Sequence, residues 1–298
     1  MKKVISLVLV LAFALSLIPL NAFAYTEEPE PESGSGTYYN IDWRYDKETK
    51  TMYFSDNGSE EKAPEIVKPD FSAYESSDAA IWAEMDWRPA YPWYSYGKKI
   101  CNYAEHIVID SSVTELADYQ CYKFICISEI TVPKTVKKLG TGVFAGCSKL
   151  ENIDIPEGVE GFCGGTIAQT AYYKDEENWE NNVIYYKSYC LGIKTFYVKT
   201  PLTVKDGTKY IAKGAFWYYQ PSTVYLPETL EVIDELAFEK SYIETVELPS
   251  SLLSIGDGAF SGSKLTFLSY PPRMITVGRV MVSTAFRVES TLVPLLSL

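Results

Sequence analysis

The stretch "IGDGAFSGSKL", Ile255 to Leu265, decides how the chain reads, because "IDELAFEKSYI" stands one fixed step earlier, at Ile233 to Ile243. Gly, Ala and Phe are common, so one such phrase carries little weight. A fixed spacing, by contrast, requires a structural cause. Aligned on Ala-Phe, the pairs Ala215-Phe216, Ala237-Phe238 and Ala259-Phe260 recur at steps of 22 residues. The same step relates Val224, Val246 and Leu268; Leu226, Leu248 and Tyr270; Pro227, Pro249 and Pro271; Leu230, Leu252 and Met274; and Ile233, Ile255 and Val277. Upstream the template returns at steps of 23: Ile107, Ile130, Ile153; Ile109, Val132, Ile155; Val113, Val136, Val159; Leu116, Leu139, Phe162; Cys121, Phe144, Ile167. A period in this range marks a solenoid, and a difference of one residue is absorbed in a loop.

One unit, "VELPSSLLSIGDGAF", has a physical reading. Val246 and Leu248 alternate on a short strand and point to one face. Pro249 removes the next backbone donor and ends that strand. Leu252 and Ile255 carry the chain across the core, and Gly256 and Gly258 are expected to make a tight bend before Ala259 and Phe260 re-enter it. A single unit has too little apolar surface to stand alone, whereas stacked units share a continuous core. The fold class expected is therefore a mainly β solenoid of 22–23-residue coils.

The matching stretches "ISEITVPKTVKKLGTGVFAGCSKLENIDIP", "STVYLPETLEVIDELAF" and "IETVELPSSLLSIGDGAFSGSKL" resemble the BspA-type leucine-rich repeat family of bacterial surface proteins. The family's consensus has the form LxxIxIPxxVxxIGxxAFxxC, and Gly140 and Cys147 fit it. The resemblance covers about Ile100 to Tyr270 and implies a leucine-rich repeat used for adhesion to host or neighbouring-cell components. It does not identify a ligand.

Outside the coils the texture changes. Residues 1–24 read as a secretory signal: Lys2 and Lys3, the apolar run "VISLVLVLAFALSLIPL", then small residues at Ala22 to Ala24. An acidic linker follows over 25–36, and 37–97 is expected to cap the open end of the solenoid, beginning with two strands about a turn at Asp46 to Lys50 and ending in the aromatic "YPWYSYGKKI". The solenoid spans 98–282, interrupted over 171–198, where "TAYYKDEENWENNVIYYKSYCLGIK" (170–194) breaks the rhythm. There Val183 to Tyr186 and Tyr189 to Ile193 read as a hairpin bulging from the coils, behind a polar loop that carries Trp179. After Tyr270 residue usage changes, Arg273, Arg279 and Arg287 falling in a stretch without lysine whose only acidic residue is Glu289, and 283–298 reads as an atypical tail. A frame change or truncated gene and a degenerate last coil keeping Met274, Val277, Met281 and Val282 explain it equally well.

Composition excludes several function classes. A net charge of −12, more negative still without Lys2 and Lys3, opposes nucleic acid and anionic lipid. Arg279, Arg287 and Glu289 interrupt the apolar C-terminal tail, so no membrane span is expected. With no LPxTG sorting signal, release is expected as readily as surface retention. The six cysteines, Cys101, Cys121, Cys126, Cys147, Cys163 and Cys190, have irregular spacing and no CxxC pair. They read as buried free thiols. His106 is the single histidine and falls at a polar repeat position with Glu129 and Asn152, so paired-histidine metal sites are excluded and no catalytic constellation accompanies it. "CGGT" at Cys163 to Thr166 lacks phosphate-loop spacing, and "DEENWEN" at Asp175 to Asn181 lacks calcium-loop spacing.

The expectation is a non-catalytic, secreted or cell-surface protein without cofactor or metal, whose strand face binds an extracellular protein or glycoprotein. Thr131, Asp154, Tyr225 and Glu247 lie between the core pairs and would line that face, with Trp179 a further binding residue. The alternative is recognition or turnover of a carbohydrate, motivated by 24 tyrosines and six tryptophans.

Overall fold

A computed structural model describes residues 30–63, 91–94, 99–195, 200–220, 222–278 and 287–289. The chain divides into two units, Met1–Glu30 and Pro31–Leu298, and the description concerns the second. The signal segment, Trp82, Trp87, Met281 and Val282 lie outside the described residues. Strands are numbered β1 to β20 in chain order.

The second unit is a β solenoid whose coils number about seven. Its opening sheet is antiparallel over β1 (Gly34–Tyr38), β2 (Ile41–Asp46) and β3 (Thr51–Asp56), and β3 then pairs in parallel with β4 (His106–Ile109), the first repeat strand. From there each coil makes three passes. The first pass supplies β6 (Glu129–Thr131), β8 (Asn152–Asp154), β12 (Leu202–Thr203), β14 (Thr223–Tyr225), β16 (Thr245–Val246), β18 (Phe267–Ser269) and β20 (Arg287–Glu289), with β6–β8, β12–β14–β16 and β18–β20 paired in parallel. Strand β20 carries this row beyond residue 282, where the repeat was expected to end. The proline carbonyl after the strand then closes a turn, as in Leu230 N–H to Pro227 O at 3.1 Å and Leu252 N–H to Pro249 O at 3.1 Å.

The second pass supplies β5 (Glu115–Leu116), β7 (Lys138–Leu139), β9 (Trp179–Glu180), β10 (Val183–Tyr186), β11 (Tyr189–Ile193), β13 (Tyr210–Ile211), β15 (Val232–Ile233), β17 (Ser254–Ile255) and β19 (Thr276–Val277). Strands β11, β13, β15, β17 and β19 pair successively in parallel. The third pass is the Ala-Phe corner, which forms a ladder of its own. The amides of Leu236, Phe238 and Lys240 donate to Asp257 O, Ala259 O and Ser261 O at 3.0, 2.7 and 2.7 Å. The rings of Phe216, Phe238 and Phe260 stack inside it, 4.9 and 5.1 Å apart and within 6° of parallel.

Two local expectations are corrected. Gly258 makes the bend with φ +62, but Gly256 does not share that role. A Cβ on Gly256 would lie 2.4 Å from the Glu235 backbone nitrogen, so glycine is required there because adjacent coils approach closely. Gly140 occupies the same place in the other block, 2.3 Å from the Asp118 nitrogen. The hairpin, for its part, is not a bulge. Strands β10 and β11 have the expected bounds, yet β11 pairs with β13 and forms part of the solenoid wall. Its inward residues Val183, Ile184, Tyr186, Tyr189 and Cys190 are buried, and burying them in the wall removes apolar surface that a protruding hairpin would leave in water.

None of the six cysteines forms a disulfide; Cys101, Cys121, Cys147 and Cys190 are buried and Cys126 and Cys163 half-buried. Burial pushes the Cys121, Cys147 and Cys190 thiols above their ordinary range, which disfavours the reactive thiolate.

Candidate functional site

The first-pass strands present one side chain inward and the next outward, as Val224 buried and Tyr225 exposed show. Thr131 and Asp154 are direct cross-strand partners on β6 and β8. Tyr225 is the partner of Thr203 on β12, and Glu247 follows one residue after the Val224–Val246 pair, so it neighbours Tyr225 on the other side. Both expected pairs are therefore adjacent and exposed. They stand on different stretches of the face, however, because β8 and β12 do not pair with each other.

The insertion fills that gap. The Tyr186 hydroxyl donates to Ile153 O at 2.7 Å and accepts from Ile155 N–H at 3.1 Å, meeting the two backbone groups that a next strand would have paired. Tyr185 turns its hydroxyl to the other bank and accepts from Lys205 N–H at 3.1 Å. Tyr189 accepts from Gly158 N–H at 2.6 Å, and burial pushes its phenol up to about 12. Asp154 accepts from Lys187 Nζ at 3.0 Å across the same gap. One expected binding residue thus also holds the insertion turn.

Trp179 stands elsewhere. It opens β9, the edge strand of the seven-stranded second-pass sheet, and its indole N–H donates to Tyr173 O at 2.8 Å. Its half-buried ring meets Tyr173 edge-on at 5.2 Å, with Lys194 Nζ 5.5 Å above it. These contacts pack the insertion together and keep Trp179 off the first-pass face. His106 is exposed on β4 at the edge of that face.

The model of the BspA type leucine rich repeat region matches residues 99–192 and 165–292, in six copies. The chain belongs to this family. No curated protein matches it. Among solved structures, the BspA-type chain is similar to a leucine-rich repeat protein from Eubacterium ventriosum at 14% identity, covering 85% of this chain and 80% of that one with a TM-score of 0.33. It is similar to the pneumococcal vaccine antigen PcpA at 16% identity, covering 83% and 78% with a TM-score of 0.33. A leucine rich cell surface protein from Faecalibacterium prausnitzii shares 19% identity over 80% of this chain and 56% of that one, with a TM-score of 0.24. Likenesses this distant carry no functional argument.

The BspA-type face is wider than its expected residues. Val108, 46% exposed, falls one 23-residue step before Thr131 and is the partner of Tyr53 on β3, which is the partner of Arg44 on β2. The Arg44 guanidinium lies 3.7 Å from the Tyr53 ring centroid. The outward row therefore runs from the opening sheet onto the first coils. Val108 was legible, since Ile107 and Ile109 flank it; Tyr53 and Arg44 were not, because nothing in the repeat indicates that β3 joins the ladder. Among the described residues no group of three or more His, Cys, Asp or Glu could hold a metal ion, and no helix is long and apolar enough to cross a membrane.

Proposed function

We propose that this BspA-type protein is a non-catalytic secreted or cell-surface binding protein, and that the outward row of its first-pass strands receives an extracellular protein or glycoprotein. Tyr225 carries the reading: it is 57% exposed at the centre of β12–β14–β16, where an aromatic ring on a regular strand has no core to fill. Exposed aromatics on a flat, rigid surface are the residue type that anchors protein interfaces. Thr203, Thr223, Thr245 and Glu247 surround it with hydroxyl groups and a single charge, a surface that desolvates at modest cost. The apolar run after Lys3 supports export, and the family supports a surface setting.

The test is saturable binding of the purified protein to immobilised matrix glycoproteins and mucin at physiological salt. Tyr225→Ala with Glu247→Ala is expected to weaken binding at least tenfold with unchanged thermal unfolding, because both side chains are exposed. Undiminished binding by that variant would remove the face from the reading. Hydrolysis of a polysaccharide by the protein would overturn its non-catalytic part.

A further inference from the structure

A second surface departs from the repeat at the corner that follows each Ala-Phe turn. The residues at one position of successive coils, Lys123, Gly146, Gln169, Tyr218, Lys240 and Gly262, all have left-handed backbones, with φ of 52, 75, 63, 55, 52 and 68°. That region is unfavourable for any side-chain-bearing residue, and Gly146 and Gly262 meet it without strain. Tyr218 accepts the strain without burying its ring, which is 40% exposed. Lys240 does the same in the next coil, its side chain half exposed. Four of the six occupants carry side chains, and in the adjacent coils of Tyr218 and Lys240 the position presents an aromatic ring and a cation to solvent.

The shorter repeat adds a third group. Where the first block has Ser148 and Lys149 between Cys147 and Leu150, the second has Tyr242 alone between Ser241 and Ile243. Its amide donates across the coils to Tyr219 O at 2.7 Å, fixing the backbone, and its ring is 40% exposed. The cations sit on these rings: Lys264 Nζ is 4.1 Å from the Tyr242 centroid, and Lys240 Nζ is 5.5 Å from Tyr218 and 5.9 Å from Trp217. Lys240 also meets Glu239 at 3.3 Å, whereas Lys264 forms an ion pair with no carboxylate among the described residues. On a chain of net charge −12, the Lys264 ammonium over the Tyr242 ring is available to meet an anion, and Lys240 shares its charge with Glu239.

We propose that Trp217, Tyr218, Lys240, Tyr242 and Lys264 bind a carboxylate-bearing polysaccharide. The apolar faces of successive sugar rings lie on Tyr218 and Tyr242, and their carboxylates meet the ammonium groups of Lys240 and Lys264. Aromatic faces supply contact area at low conformational cost, and lysine supplies a compact charge with three rotatable donors that suits a flexible polymer. A neutral glycan would leave the amines without a role. The corner does not include Tyr225, so this inference and the strand-face reading fail separately.

The probe is polygalacturonate, compared by calorimetry at physiological salt with the same polymer fully methyl-esterified. The free acid is expected to bind saturably and the ester at least tenfold more weakly. Lys240→Gln with Lys264→Gln should lower affinity at least tenfold. Tyr218→Gly, which suits the left-handed backbone and keeps the coil intact, should do so as well, while Tyr225→Ala should leave it unchanged. Equal binding of acid and ester, no binding of either, or affinity lost in Tyr225→Ala and retained in the corner variants would each overturn the proposal.

Discussion

The junction between the coils of Phe238 and Phe260 and the junction between those of Ile153 and Leu202 are built from different materials. In the first, backbone meets backbone through the Leu236, Phe238 and Lys240 amides, and two phenyl rings stack at 5.1 Å beneath them. In the second, no first-pass strand pairs across among the described residues, and Tyr185, Tyr186 and Tyr189 supply the bonds from their hydroxyls. The aromatic residues at 91–94 repeat the second solution. In later coils the carbonyls of Thr141 and Val143 accept from the coil before. Their counterparts on the first coil, Asp118 O and Gln120 O, instead accept from Tyr91 hydroxyl at 2.7 Å and Trp93 Nε1 at 2.9 Å. An aromatic body continues the apolar core while its polar head satisfies an otherwise orphaned backbone group. Here the interrupted ladder is completed by aromatic side chains, which gives Tyr91, Trp93, Tyr185, Tyr186 and Tyr189 a structural role without invoking a ligand.

This comparison can be broken most forcefully at the regular junction. Phe238→Ala removes the middle ring of the stack from a position with no solvent exposure and is expected to destabilise the protein by about 3–5 kcal/mol. Urea unfolding measures it. A loss below about 1 kcal/mol would mean that the stacked rings do not hold the coils together. At the interrupted junction, Tyr186→Phe keeps the ring and deletes the oxygen, leaving Ile153 O and Ile155 N–H unpaired. The expected cost is about 1–3 kcal/mol, with faster amide hydrogen exchange at Ile155 than in the wild type. Unchanged exchange there would show that water, not the hydroxyl, serves the gap.

How much of this the sequence discloses depends on whether a residue's role repeats. Phe216, Phe238 and Phe260 have one environment and one spacing, so their burial follows from the period alone. The hairpin's strands were legible too, because Val183 to Tyr186 and Tyr189 to Ile193 alternate about a turn. What did not follow was where the hairpin goes. Tyr186 looks the same on a protruding ribbon as in a wall, since its partners Ile153 and Ile155 are distant in sequence and occur once. The candidate face divides in the same way: Thr131, Asp154, Tyr225 and Glu247 came from alternation within repeats, and all four are exposed, the first three on first-pass strands and Glu247 directly after β16. Trp179 came from loop composition, and its indole turned out to bond Tyr173. Gly256 shows a subtler limit, because close approach and a left-handed bend both select glycine and only φ separates them.

That separation yields a paired prediction on the regular coils. Gly256→Ala would drive a methyl to within 2.4 Å of the Glu235 nitrogen, forcing adjacent coils apart at an expected cost of about 1–3 kcal/mol. Gly214→Ala meets nothing within 4 Å and carries only its φ of +66, so about 1–2 kcal/mol is expected from the left-handed strain alone. The sharper signature is spatial: Gly256→Ala should accelerate exchange at the amides of both neighbouring coils, and Gly214→Ala should not. Equal spread in the two variants would contradict close approach as the reason for Gly256.

The smallest effect is expected from Lys187→Gln, and it decides what closes the gap between the blocks. Lys187 and Asp154 meet at 3.0 Å but remain 54% and 68% exposed, so solvent and salt screen the pair. Exposed pairs of this kind contribute about 0–1 kcal/mol. Stability of Lys187→Gln should therefore lie within that range of the wild type, and molar salt should affect the two proteins alike. Tyr186→Phe should cost more than Lys187→Gln at every salt concentration, because a buried hydroxyl bridging two backbone groups is not screened. The opposite ranking, with salt abolishing the difference, would make the junction electrostatic and leave its tyrosines as filling.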